Sequence, residues 1–310
     1  MAVSLLRRLL IMIPSIGHLP MNPLLTGQAE LKQHIVYSEN GQTLTLALPW
    51  AHRDRRGFIK PTPLIVFVQG SGWTTPDLNY ELPMLSRFAE EGIAVATVCH
   101  RSTAEGHPFP AYLQDVKCAI RFLRAHAEEY NINKEKVAAF GTSSGGNTVC
   151  LLGLTGNDSR YRTAEYPEES DAVCAVVSCF GPMELVTLFK QRLEKDKANA
   201  EERLNRMLGP DKGEWPEKLR QFSPALQVEP GKAYPSFLLL HGTGDPVVPC
   251  EQMEKMYESL REAKADVRAY YVDGAEHEGN FWSPQVRQVI HDEMTEKLFV
   301  KTFFCPWQES

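Results

Sequence analysis

The chain has 310 residues, 43% of them hydrophobic and 23% charged, and 33 basic against 39 acidic side chains leave a formal charge of −6. That near-average composition excludes a disordered, collagenous or coiled-coil protein, and the length suffices for one large α/β domain or two average ones. With no basic tract, nucleic acid is not an expected partner, because binding a polyanion rests on Lys and Arg displacing counterions.

At the N-terminus Arg7 and Arg8 precede an apolar stretch over 9–16. Pro14 interrupts it and no small-x-small cleavage site follows, so residues 1–35 read as an arm rather than an export signal. No segment reaches the ~20 apolar residues that span a bilayer. Residues 42–48 (QTLTLAL) alternate as an antiparallel edge strand or hairpin would, and the Pro- and charge-rich stretch 49–63 reads as a loop. The run 64–68 (LIVFV) suits a strand buried on both faces. A helix over 81–91, a strand over 94–98 and a helix over 111–130 follow, the last with Val116, Ile120 and Leu123 at helical spacing. Further strands are expected at 137–140, 172–177, 237–240 and 267–272, and further helices at 147–154, 251–264 and 284–299. This alternation predicts βαβ units and a mostly parallel sheet with helices on both faces, an α/β domain over 36–305.

Residues 183–232 break the rhythm, being far longer than one crossover helix requires. Residues 183–208 are charged and helical in pattern, and 209–216 form a turn cluster. This insertion reads either as a solvated helix pair or as a cap over the C-terminal edge of the sheet, where open α/β sheets hold their ligands. The arm and the insertion are also the candidate contacts for a homodimer. The seven cysteines, Cys99, Cys118, Cys150, Cys174, Cys179, Cys250 and Cys305, contain no CxxC pair. They read as reduced, buried thiols in a cytoplasmic protein, with no metal site expected.

The strongest chemical signal is Gly141-Thr142-Ser143-Ser144-Gly145-Gly146, between an expected strand and an expected helix. A serine on a tight strand-to-helix turn needs very small neighbours two residues to either side, and Gly141 and Gly145 provide them for Ser143. Ser144 is out of register, since Thr142 would fill its upstream glycine position. A serine hydroxyl needs a base, and the base an orienting group. Asp245 follows one late strand and His277 the next, in the chain order Ser, Asp, His. Asp273 is a competing acid, while His100, His107 and His241 have weaker claims as bases. Glu276 and Glu278 flank His277 and would raise its pKa on close approach. For the developing oxyanion, the loop Gln69-Gly70-Ser71-Gly72-Trp73 offers the N–H groups of Ser71 and Gly72, with Ser144 N–H as a third donor. Trp73 is the candidate substrate-binding aromatic, as pocket wall or by direct contact.

Together these residues resemble the α/β-hydrolases, and more narrowly the esterase/lipase group related to hormone-sensitive lipase and to the acetylxylan and feruloyl esterases of gut bacteria. The resemblance spans roughly residues 35–300. It rests on Gln69 to Trp73 for an HGGGW loop, His100-Arg101 near a YR pair, and 110–120 for a Pro-x-x-x-x-Asp helix start. Gly141 to Gly146, His241 to Asp245 and Gly274 to His277 complete it. It implies a serine esterase without a cofactor, acting on short or aromatic acyl esters of a small molecule or oligosaccharide. It also implies structural roles for Arg101 and Asp115. Gln69 stands where the group usually has histidine, as in gut-bacterial carbohydrate-esterase-like members, and Ser71 replaces a glycine. The same triad would serve an arylformamidase or peptidase-like amide hydrolase, and hydrolase folds are also reused as noncatalytic binding modules.

Overall fold

The computed structural model describes residues 28–50 and 61–299. In chain order the elements are β1 (Ala29–Val36), β2 (Thr43–Pro49), β3 (Thr62–Val68), α1 (Leu82–Glu90), β4 (Ala94–Val98), α2 (Ala111–Ala125) and α3 (Ala127–Tyr130). They continue with β5 (Ile132–Thr142), α4 (Ser143–Leu154), β6 (Ala175–Cys179), α5 (Leu185–Lys195), α6 (Lys197–Leu208) and α7 (Trp215–Gln221). The chain then forms β7 (Ser236–Gly242), α8 (Glu251–Glu262), β8 (Val267–Val272) and α9 (Pro284–Phe299). The strands make one sheet in the order β1-β2-β4-β3-β5-β6-β7-β8. β4 to β8 of that order run parallel, and β1 and β2 are antiparallel additions.

The continuous apolar run of β3 is explained by helices on both faces. Leu64, Val66 and Val68 enter one core with Val116, Ile120 and Leu123 of α2, Val149 of α4 and Met256 of α8. Ile65 and Phe67 enter the other, with Leu85 and Phe88 of α1 and Ile290 and Met294 of α9. Each such side chain contributes about 1.5–3 kcal/mol when fully removed from water. The α2 face is also pinned by a buried ion triad, in which Asp171 pairs with Lys117 at 2.7 Å and Arg121 at 3.1 Å.

Several elements differ from the sequence expectations. The alternating segment 42–48 is internal, because β2 pairs with both β1 and β4. The edge is β1, which takes up residues 29–35 of the expected arm. Its register shifts between Lys32 and Ile35, around His34 at φ 58°, and that irregularity erases the alternation that would have revealed it. The expected helix 111–130 divides at His126, whose backbone N–H and ring nitrogen both turn back on Phe122 O. The helix expected from 147 starts at Ser143, so Gly145 and Gly146 lie inside its first turn. Residues 183–208 form two helices split at Asp196, which caps the second by accepting the Asn199 N–H. Residues 1–27 of the arm, 51–60 of the expected loop and Cys305 lie outside the described residues. Of the other six cysteines, Cys118, Cys150 and Cys179 are buried, as expected, whereas Cys99, Cys174 and Cys250 are only partly so.

Candidate active site

β5 delivers Ser143 to the sheet's C-terminal edge, at the turn into α4. Ser143 has φ 48°, a left-handed conformation that costs on the order of 1–3 kcal/mol and persists only where surrounding structure enforces it. The enforcement is visible at Gly145, where a Cβ would stand 2.0 Å from Val68 O. Glycine there lets α4 start directly against the end of β3. Gly70 N–H donates to Thr142 Oγ1 at 2.9 Å, tying the loop after β3 to the same turn.

Asp245 follows β7 and His277 follows β8, and the parallel pairing of those strands sets their loops side by side. His277 Nε2 lies 2.9 Å from Ser143 Oγ, and its Nδ1 lies 2.6 Å from Asp245 Oδ2. The Asp245 carboxylate is fully buried. Burial alone would raise its pKa, but hydrogen bonds from His241, His277 and the N–H groups of Val248 and Val247 hold it well below the usual carboxylate range. Asp273, the competing acid, is exposed on the turn beyond β8. Phe180 sets its ring against the edge of His277, with centroids 4.7 Å apart.

His241 occupies a place its sequence position did not disclose. Its Nε2 lies 2.8 Å from Val248 O and 3.2 Å from Asp245 Oδ2, so an Nε2–H serves both the loop and the carboxylate. The motif His241 to Asp245 carried that signal only in retrospect, since the contact depends on the loop curling back. His100 is buried, with Nδ1 3.0 Å from Arg101 O, and desolvation lowers its pKa. Arg101 and Asp115 pair at 2.8 Å, and the Arg101 N–H also donates to that carboxylate. They anchor the loop after β4 to α2.

The expected oxyanion donors are not equivalent. Ser71 N–H donates to Ser144 Oγ at 2.9 Å, so it is already engaged. Ser144 N–H is an orphan donor in the first turn of α4, where the helix dipole favours negative charge. Gly72, at φ 63°, turns the loop directly after Ser71. Ser71 and Thr74 exchange two side-chain hydrogen bonds of 2.7 Å that brace this turn. Trp73, expected as a substrate-binding aromatic, is only 4% exposed. Its ring lies 4.7 Å from Phe222 and 6.2 Å from Tyr112, so it is a wall beneath the site rather than a contact surface.

Gln69 acts as a clamp. Its Oε1 accepts the Asp77 N–H at 2.5 Å and its Nε2 donates to Glu81 Oε2 at 3.1 Å. Burial, reinforced by Glu278, pushes Glu81 up to about 7 against the lowering effect of that Gln69 bond. Burial likewise raises Glu278, against the pull of His277. Glu276 is exposed, with its N–H on Asn280 Oδ1. Among the described residues no three His, Cys, Asp or Glu side chains are grouped as a metal set, and no helix is long and apolar enough to cross a membrane.

The arrangement is a serine hydroxyl aligned on an imidazole whose far nitrogen faces an ionised carboxylate, with N–H donors beside it. A family model described as BD-FAE matches residues 56–260, more than half of the chain. The match includes Ser143 and Asp245 and ends before His277. Esterase LipC of Mycobacterium tuberculosis is 32% identical over 232 residues, covering 74% of this chain and 55% of its own length. A truncated carbohydrate esterase from gut microbiota superposes with a TM-score of 0.69 at 25% identity, over 88% of this chain and 97% of that one. A bifunctional GH43-CE protein of Bacteroides eggerthii gives a TM-score of 0.72 at 25% identity, over 86% of this chain and 35% of that one. The chain spans about half the length of the curated relatives it matches.

Proposed function

This chain belongs to the BD-FAE family, and on that premise we propose that it is a serine carboxylester hydrolase acting through an acyl-enzyme. Its substrates are short or aromatic acyl esters of plant cell-wall carbohydrate, acetyl and feruloyl esters among them. The observation that carries this reading is the continuous path from Asp245 through His277 to Ser143. The likeness to gut carbohydrate esterases supports the substrate class.

In this reading Ser143 Oγ attacks the ester carbonyl carbon while its proton passes to His277 Nε2. Asp245 stays ionised, holds the Nδ1–H tautomer and stabilises the imidazolium. The carbonyl oxygen, now negative, is met by the Ser144 and Gly72 N–H groups. The C–O bond to the alcohol breaks as His277 returns the proton to the leaving oxygen. Water then attacks the acyl-enzyme with His277 again as base, releasing the acid.

The test is an ester panel from acetate to decanoate, with feruloyl and acetylated-xylan substrates added. Turnover concentrated on acetylated xylan or feruloyl esters, lost about 10³-fold or more in Ser143→Ala, is the expected result. A decanoate optimum would refute the substrate class. Undiminished turnover by Ser143→Ala would refute the nucleophile.

A further inference from the structure

The insertion between β6 and β7 straddles the candidate site. On one side Arg192 Nη2 of α5 donates to Val247 O at 3.1 Å, on the loop whose N–H groups hold Asp245. On the other, Phe109 N–H donates to Met207 O of α6 at 2.8 Å. The loop before Phe109 is tied to the oxyanion loop, since Thr103 N–H donates to Trp73 O at 2.9 Å. The insertion carries two further arginines, Arg203 and Arg206, that no such tie explains.

Arg192 stacks on the buried ring of Phe189, 5.2 Å from its centroid. Arg203 and Arg206 sit a turn apart on α6, and the Nε atom of each is buried without a hydrogen-bond partner. Burial, and then Arg203, lowers the Arg192 pKa; burial, and then Arg206, lowers that of Arg203. Among the described residues no carboxylate stands within ion-pair distance of the three. Two acids of the same helices are used elsewhere: Glu201 pairs with Lys212 at 2.8 Å, and Asp196 caps α6. Buried donors left without a partner, as on Arg203 and Arg206, are costly. Arg192 and Arg203 line an open cavity of about 240 Å³, with Lys195, Asp196 and Asn199 at its rim.

We propose that Arg192 and Arg203, with Arg206 one turn further along α6 adding its charge from behind, form an anion subsite on the insertion, which takes a carboxylate carried by the ester substrate, as on an acidic sugar. The planar guanidinium fork matches a carboxylate in two parallel hydrogen bonds. Asp196 at the rim disfavours a dianion such as phosphate more than a monoanion. The assignment of the carboxylate to the substrate rests on the ester hydrolase reading; the binding of the anion does not.

The test has two readouts on the full chain. Calorimetric titration with sodium D-glucuronate, with D-glucose as control at constant ionic strength, reads binding without catalysis. Saturable binding of glucuronate over glucose is expected, weakened about tenfold in Arg203→Gln and in Arg206→Gln, the loss of one charge-assisted interaction. Arg203→Lys keeps the charge and retains part of the affinity. In kinetics, the ratio of kcat/KM for an acetylated methyl glucuronoside over an acetylated methyl glucoside is expected to fall by a similar factor in both glutamine variants. Glucuronate binding no better than glucose, or equal in both folded glutamine variants and wild type, overturns the subsite. Absent turnover of both esters counts against the hydrolase reading, and the titration still decides the subsite.

Discussion

Asp245→Asn isolates what the buried carboxylate does. One carboxylate oxygen, Oδ1, accepts the N–H groups of Val247 and Val248 at 2.8 and 2.9 Å. An amide can satisfy both only with its oxygen, because an NH₂ group there would face two donors. The NH₂ is therefore forced into the Oδ2 position, 2.6 Å from His277 Nδ1. It donates to Nδ1, leaves the imidazole proton on Nε2, and so presents an N–H to Ser143 Oγ where a base is required. The side chain keeps its volume and two of its hydrogen bonds, so the fold should survive while kcat falls about 10⁴-fold, or ~5.5 kcal/mol of barrier. KM should change little, since Asp245 sits behind His277 rather than against substrate. Steady-state hydrolysis of 4-nitrophenyl acetate, with Asp273→Asn alongside, measures this. A loss below tenfold in Asp245→Asn, or an equal loss in Asp273→Asn, would refute the assignment of the acid.

Two further outcomes follow from the packing and the charges. In Gly145→Ala the new Cβ would lie 2.0 Å from Val68 O and 2.8 Å from Gln69 O, both backbone atoms; a shift near 1 Å at the start of α4 should cost about 10²-fold in kcat, and unchanged kcat would refute the tight turn. Burial pushes the Glu81 carboxyl up to about 7 from its ordinary 4.5, so between those values the native state binds the extra proton and stability declines as pH rises. Thermal melts should show Glu81→Gln gaining on wild type from pH 5 to pH 8, by on the order of 1–3 kcal/mol. A constant difference across that range would mean that Glu81, facing Glu278, Asp77 and Gln69, titrates normally.

What the sequence disclosed was whatever local chemistry enforces. The run 64–68 had to be buried on both faces, and small residues around Ser143 had to mark a turn that no larger side chain fits. The order of Ser143, Asp245 and His277 followed from the strands that carry them. Hidden were features that exist only when distant segments meet. β1 lost its alternation to the irregularity at His34. Ser144 was read as a neighbour of the nucleophile, yet its hydroxyl accepts the Ser71 N–H from 73 residues away. Trp73 was open to two roles, pocket wall or direct contact, and its burial follows from Phe222 of the insertion packing on it.

The charged stretch 183–208 was open to two readings, a solvated helix pair or a cap, and a mildly acidic chain of −6 with no basic tract argued against a polyanion as partner. That sum averages over distance. Exposed acids act through water and salt, which screen them beyond about 8 Å at physiological ionic strength. Arg192 sits on the face of Phe189, and the Nε atoms of Arg203 and Arg206 are shut off from water, so their field is screened far less. A carboxylate seated in the cavity between Arg192 and Arg203 meets these charges at contact distance, where they prevail over the sum. Net charge thus sets solubility and the approach of partners, while the sign that matters for the substrate is set by a few side chains that the fold has drawn out of solvent.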